Sequence, residues 1–164
     1  MKLRTQCLNW QKIYNMIEEE KSLLLKDLCA RLPYGVKVHT WYNRPMVVKC
    51  TGVDVYTNTV NLDIPGEYGY IFDDENDSDA KVYIDNVKPY LRPLSSMTED
   101  EEEIYQLLVS TISLNNEGRF NASIDDYLNW LLRNHFDYRG LIEKGLAIAA
   151  VGENNPYKEK GGEQ

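Results

Sequence analysis

The densest cluster of chemistry-bearing residues is Asp73-Asp74-Glu75-Asn76-Asp77-Ser78-Asp79. Carboxylates spaced along a short loop are the ligand set of a hard divalent cation. The helix-flanked calcium-loop pattern nevertheless fails here. Counting from Asp73 puts Ser78 at the sixth position, where the turn needs Gly, and Ile84 at the twelfth, where a bidentate Glu belongs. Counting from Asp74 brings Asp85 to the twelfth position but Asp79 to the sixth. The flanks also read as strands rather than helices. The expectation is a solvated hairpin loop. Asp73, Asp74, Asp77 and Asp79 are kept as candidate ligands of a looser divalent site, and with them the alternative of a metal-dependent enzyme.

Other chemistries find less. His39 and Cys50 flank turn residues at Asn43-Arg44-Pro45 and could approach as a thiol–imidazole pair. Strand alternation argues against it: Val36 and Val38 point inward and send His39 out, while a solvated Lys49 sends Cys50 in. Asp125-Asp126 and the run from Glu99 to Glu103 sit where helices begin, and the helix dipole stabilises negative charge there. Ser95-Ser96 lacks a G-x-S-x-G context, and neither a Walker motif nor G-x-G-x-x-G is present. His135 stands alone near a helix end and reads as structural. No catalytic residue and no cofactor are expected.

Aromatics are more informative. Tyr34, Trp41, Tyr42, Tyr56, Tyr68, Tyr70, Phe72, Tyr83 and Tyr90 crowd into a third of the chain. With Val82 and Ile84 inward, Tyr83 points out, and Tyr56 opposes Val55. Outward aromatics on a small sheet suit a protein, peptide or nucleotide-stacking surface. The expected surface is Trp41, Tyr42, Tyr56 and Tyr83, with Arg44, Lys49 and Arg92 as the cations that could hold phosphate. Strand propensity and packing against helices is the competing explanation.

These residues need elements to position them. Apolar spacing predicts helix over residues 3–32, with a polar break or turn at Glu18-Glu19-Glu20-Lys21-Ser22, ended by Pro33 and Gly35. Residues 36–93 alternate as short antiparallel strands. Thr57-Asn58 is the expected hairpin tip, and Gly52 marks a bulge or bend. Many short strands at close spacing suggest a small SH3-like barrel. Pro89 and Pro93 are expected to stop the sheet. Thr98 and Glu101 then form a capping box that opens the first of three helices over residues 99–151. Ser123 caps the second, and Asp137 the third, whose apolar face is Leu141, Ile142, Leu146, Ile148 and Ala149.

The fold class is therefore α+β: a small antiparallel SH3-like β-barrel flanked by an N-terminal helical segment and a C-terminal three-helix part. The divisions are 1–33, N-terminal helical segment; 34–97, barrel; 98–151, C-terminal helices; and 152–164, a flexible tail. The stiff junction at residues 88–98 predicts that they pack as one body.

Composition bounds the partners. The 164-residue chain has a net charge of −8, and the acidic excess falls after residue 40. That disfavours direct nucleic-acid or anionic-membrane binding, which need a positive field. It permits an acidic face for a basic, nucleic-acid-binding protein. Three cysteines, Cys7, Cys29 and Cys50, are an odd count without metal-ligand spacing and suggest reduced thiols in a cytoplasm-like compartment. Neither a signal peptide nor a membrane span is expected.

Two strings are distinctive, Val87-Lys88-Pro89-Tyr90-Leu91-Arg92-Pro93-Leu94-Ser95-Ser96-Met97-Thr98-Glu99 and His135-Phe136-Asp137-Tyr138-Arg139-Gly140-Leu141-Ile142-Glu143-Lys144-Gly145-Leu146-Ala147. Both resemble uncharacterised small proteins from phage and prophage regions of gut bacteria, over roughly residues 24–150. The resemblance supplies no catalytic or binding residues. It implies the cytoplasm of a bacterial host and an accessory role in phage–host conflict. The expected function is a non-enzymatic, phage-type accessory binding protein, an inhibitor or sequestering protein directed against a host defence component. A virion or assembly structural protein is the other alternative.

Overall fold

The computed structural model describes residues 16–41, 45–64, 79–114 and 123–158. Outside them fall Tyr42, Arg44, Tyr68, Tyr70, Phe72, Asp73, Asp74 and Asp77, so the acidic loop as a metal site is not placed. Asp79 enters only as the first residue of a strand.

Helix α1 spans Glu18–Arg31. The acidic run predicted as a polar break is instead the first turn of this helix. Glu18, Glu19 and Glu20 meet the positive end of the dipole there, and the Glu20 carboxylate accepts the Ile17 backbone N–H at 3.1 Å. A 3₁₀ turn over Leu32–Tyr34, with Pro33 inside it, ends the helix.

Six strands follow: β1 Lys37–Thr40, β2 Met46–Asp54, β3 Thr59–Asp63, β4 Asp79–Tyr83, β5 Val87–Leu91 and β6 Ile148–Ala149. Their order is β4-β3-β2-β1-β5-β6. The first five pair antiparallel, and β6 joins β5 parallel at Tyr90↔Ile148 and Leu91↔Ala149. The sheet is thus mixed and open, with β4 and β6 at its edges, rather than the closed antiparallel barrel that the strand spacing suggests. Asn58 takes a φ of 53° at the β2–β3 tip, and the register shifts between Cys50 and Gly52.

One face of the sheet makes the core. Val38, Val48, Cys50, Val60, Leu62 and Val82 pack with Leu24, Leu25 and Leu28 of α1. Each such side chain contributes about 1.5–3 kcal/mol when fully buried. The opposite face presents Val47, Lys49, Lys81 and Tyr83 to solvent.

Pro89 lies within β5 opposite Val38, not at the end of the sheet. Since β6 pairs only with Tyr90 and Leu91, β5 has a partner on one side alone at Pro89, where a missing N–H is tolerated. Past the strand, Arg92 N donates to His135 O and Asp137 N donates to Arg92 O, both at 2.8 Å. Helix α2, Glu99–Leu114, opens with the predicted box: Thr98 N donates to Glu101 Oε2 at 2.9 Å, and Glu101 N to Thr98 Oγ1 at 3.3 Å. Helix α3, Ile124–Arg133, opens with Ser123 and Asp126 exchanging hydrogen bonds in the same way. Tyr105 of α2 packs on Tyr127 and Trp130 of α3.

The third predicted helix does not form. Residues 138–147 are a chain of turns, although their apolar spacing mimics a helical face. Gly140 and Gly145 take φ of 69° and 71°, which no right-handed helix accommodates. Asp137 does cap, but it caps a turn, accepting Leu141 N at 2.9 Å and Ile142 N at 2.8 Å. Leu141 and Leu146 still reach the core.

One ion pair joins these parts. Asp27 and Arg31 have fully buried side chains. Arg31 Nε donates to Asp27 Oδ2 at 2.7 Å and Nη2 to Oδ1 at 3.2 Å, while Nη2 also reaches Phe136 O at 2.8 Å. Arg139 Nε stands 3.2 Å from Asp27 Oδ1 as a second cation.

Two predictions follow from this packing. Asp27→Ala would strand two guanidinium groups and cost about 3–5 kcal/mol in urea unfolding; a loss near zero would show the pair to be incidental. Gly140→Ala meets no atom within 4 Å of the added Cβ, so its cost isolates backbone strain. It should destabilise by about 1–2 kcal/mol, with Gly140→Asn milder.

Candidate binding face and cationic groove

The solvent face of the sheet carries most of the expected surface residues that are described. Cross-strand register aligns Lys37 with Lys49, and His39 with both Val47 and Lys88. The His39 ring meets Trp41 edge-on at 4.6 Å, and its Nδ1 lies 3.3 Å from the Tyr90 hydroxyl. Burial pushes the His39 pKa down. Lys88 Nζ stands 5.9 Å from the Trp41 ring centre. The same register puts Cys50 on the other face, where it is fully buried beside Leu62, so it is separated from His39 as alternation predicts.

Tyr56 and Tyr83 sit elsewhere. Tyr56 belongs to the β2–β3 tip and is 96% exposed; Tyr83 closes β4 and is 66% exposed. They share an edge of the sheet remote in register from Lys49, so the expected surface divides into an aromatic edge and a mixed centre. Arg92 belongs to neither. Its guanidinium grips Glu101 at 2.6 and 2.7 Å and lies 4.3 Å from the Phe136 ring centre. That hydrogen-bonded partner also holds the Glu101 carboxyl below its ordinary range. Arg92 is therefore paired with a carboxylate at the junction between β5 and α2.

A second feature has weaker local signals. Residues 152–158, assigned from sequence to a flexible tail, lie as a strap over β1 and β5. Tyr157 pins it: Lys37 N donates to the Tyr157 hydroxyl at 3.0 Å, which donates onward to Tyr90 O at 2.9 Å. Burial pushes this hydroxyl up to about 12. Lys37 Nζ donates to Pro156 O at 2.6 Å. The Tyr157 ring stacks on His135, centre to centre at 3.9 Å and 10° from parallel.

An open groove of about 1200 Å³ runs between the strap and β2, lined among others by Val47, Lys49, Tyr90, Glu153 and Lys158. A hollow of about 330 Å³, lined by Arg92, Arg133, Asn134 and His135, shares Asn155, Tyr157 and Lys158 with it. Lys37, Arg133, Tyr157 and Lys158 carry no site signal in the sequence, and His135 reads there as structural. The one signal of the strap was an aromatic beside Pro156 in an otherwise polar terminus.

His135 is the unusual group. It has a φ of 58°, is 7% exposed, and its Nδ1 has no hydrogen-bond partner. Burial first, then the charges of Arg31, Arg92 and Lys37, lower its pKa from the ordinary 6.5 to about 4. Between those values the unfolded chain binds a proton that the folded chain refuses, so stability falls as pH drops from 6.5 towards 4. The variant His135→Asn keeps a residue that tolerates the left-handed backbone. Urea midpoints measured from pH 7 to 4 should decline less steeply in it than in the native chain, and parallel profiles would assign the acid sensitivity elsewhere. No family model, curated protein or solved structure matches the chain.

Proposed function

We propose that the protein is a non-enzymatic binding protein that meets a protein partner by surface contact. The observation that carries this reading is the aromatic edge, where Tyr56 and Tyr83 stand 96% and 66% exposed at neighbouring strand ends. Exposed tyrosines of this kind supply large, stiff contact area with a polar tip. Trp41 and Val47 form a second, separate exposed apolar group on the solvent face of the sheet, 38% and 47% exposed.

The acidic component of the reading rests on α2. Glu99, Asp100 and Glu102 are exposed in its first turn and Glu103 just after it, next to Ile104 and Leu107, which are 44% and 66% exposed. An acidic stripe flanked by apolar groups suits a basic cleft of the kind that binds nucleic acid. Together with the sequence resemblance, this favours a phage-type accessory inhibitor or sequestering protein acting on a host defence component in the bacterial cytoplasm. The SH3-like character of the strand set belongs to the same proposal.

Capture from a bacterial host lysate at several salt concentrations, followed by mass spectrometry, tests it. The native chain should retain a partner that Tyr56→Ser/Tyr83→Ser loses, with circular dichroism unchanged, since neither ring supports the core. High salt should weaken capture if the acidic stripe takes part. A partner held equally by the double variant would remove the aromatic edge from the reading, and salt-insensitive self-assembly would favour a structural role.

A further inference from the structure

Five cations among the described residues are matched by carboxylates. Lys21 pairs with Glu18 and Asp85, Arg31 and Arg139 with Asp27, Lys81 with Asp54, and Arg92 with Glu101. Lys49, Arg133 and Lys158 take part in no ion pair among the described residues, and they line two depressions that share Asn155, Tyr157 and Lys158 in their walls. Lys49 lines the groove, Arg133 lines the hollow, and Lys158 lines both. One carboxylate, Glu153, lines the groove in opposition.

His135, in the wall of the hollow, is also surrounded by positive charge, from Arg31, Arg92 and Lys37. Arg31 Nη1 and His135 Nδ1 are buried without hydrogen-bond partners, and Asp27 alone faces both Arg31 and Arg139. Buried polar atoms left without a partner are uncommon in native proteins and call for an explanation. In a chain of net charge −8, both depressions are lined by more cations than carboxylates.

We infer that the groove beneath the 152–158 strap and its adjoining hollow bind a small oligophosphate, with Lys49, Lys158 and Arg133 as the phosphate-holding groups. The hollow is large enough for one phosphoryl group, and the groove extends the path for further ones. Lysine supplies point charges to phosphate oxygens, and the arginine fork adds paired donors. Lys37 is a positioning residue: its amine is already bonded to Pro156 O and holds the strap in place. A nucleotide and an inorganic polyphosphate share this chemistry. They differ in whether a flat base can also lie on the groove wall near Val47 and Tyr90.

Calorimetric titration of the full chain with inorganic tripolyphosphate, adenosine triphosphate and adenosine tests the inference. Both phosphates should bind and adenosine should not. Equal affinity would identify the phosphates as the whole ligand, and tighter nucleotide binding would add a base contact. Each of Lys49→Gln, Arg133→Gln and Lys158→Gln should weaken binding by about tenfold. Lys26→Gln, the same charge change on α1, should not. Absence of binding by both phosphates, or equal weakening by Lys26→Gln, overturns the site. The outcome is separable from the partner reading, since Tyr56→Ser/Tyr83→Ser should leave phosphate binding intact.

Discussion

The Asp27–Arg31 pair is the constraint on which the rest of the structure hangs. A buried ion pair is a poor source of net stability, because desolvation offsets most of the attraction. What this one supplies is connection. Arg31 spends one donor on Phe136 O, a carbonyl in the turn after α3. That contact fixes the turn against α1. The turn in turn exchanges backbone hydrogen bonds with Arg92 at the end of β5. Helix α1, the sheet and the C-terminal helices therefore converge on one guanidinium. The neighbouring residue, His135, is held in a left-handed conformation that lays its ring flat on Tyr157. The strap over the groove thus depends on a helical ion pair far from it in sequence.

Much of the architecture was legible because its causes are local. Asn58 at a hairpin tip, Thr98 with Glu101 and Ser123 at helix starts, and the alternation through β1–β3 each act within a few residues. Other features were legible only ambiguously. The spacing of Leu141, Ile142 and Leu146 fits a helix, and only the left-handed Gly140 and Gly145 turn it into a run of tight turns. Two-residue β6 has no periodicity to detect, so nothing in the sequence distinguished an open mixed sheet from a closed antiparallel one.

The site was less legible for a different reason. Asp27 and Arg31 are four apart on a helix, a spacing most often found on solvated surfaces. Nothing local marks them as buried. Lys49, Arg133 and Lys158 come from a strand, a helix end and a terminal segment, and only the fold brings them to adjoining depressions. Arg92 illustrates the converse. It lies in a cation-bearing stretch that reads as a phosphate holder, yet the helix cap at Thr98 and Glu101 delivers a carboxylate to it. A capping box chosen for helix initiation has removed a cation from the surface.

Charge segregation reconciles a strongly acidic chain with a cationic groove. Screening confines the field of an exposed patch to about 8–10 Å at ordinary ionic strength. A ligand a few ångströms across senses the residues around it, not the sum over the chain. A long polyanion such as a nucleic acid also samples the surrounding surface, and here that surface includes the acidic first turn of α2. Net charge therefore opposes extended nucleic acid without opposing a small phosphate compound. On the same grounds the acidic first turn of α2 and the groove beneath the strap favour ligands of opposite charge. The Arg92–Glu101 pair stands between the two regions, neutral in sum, and lets charges of opposite sign persist on one small protein without collapsing onto each other.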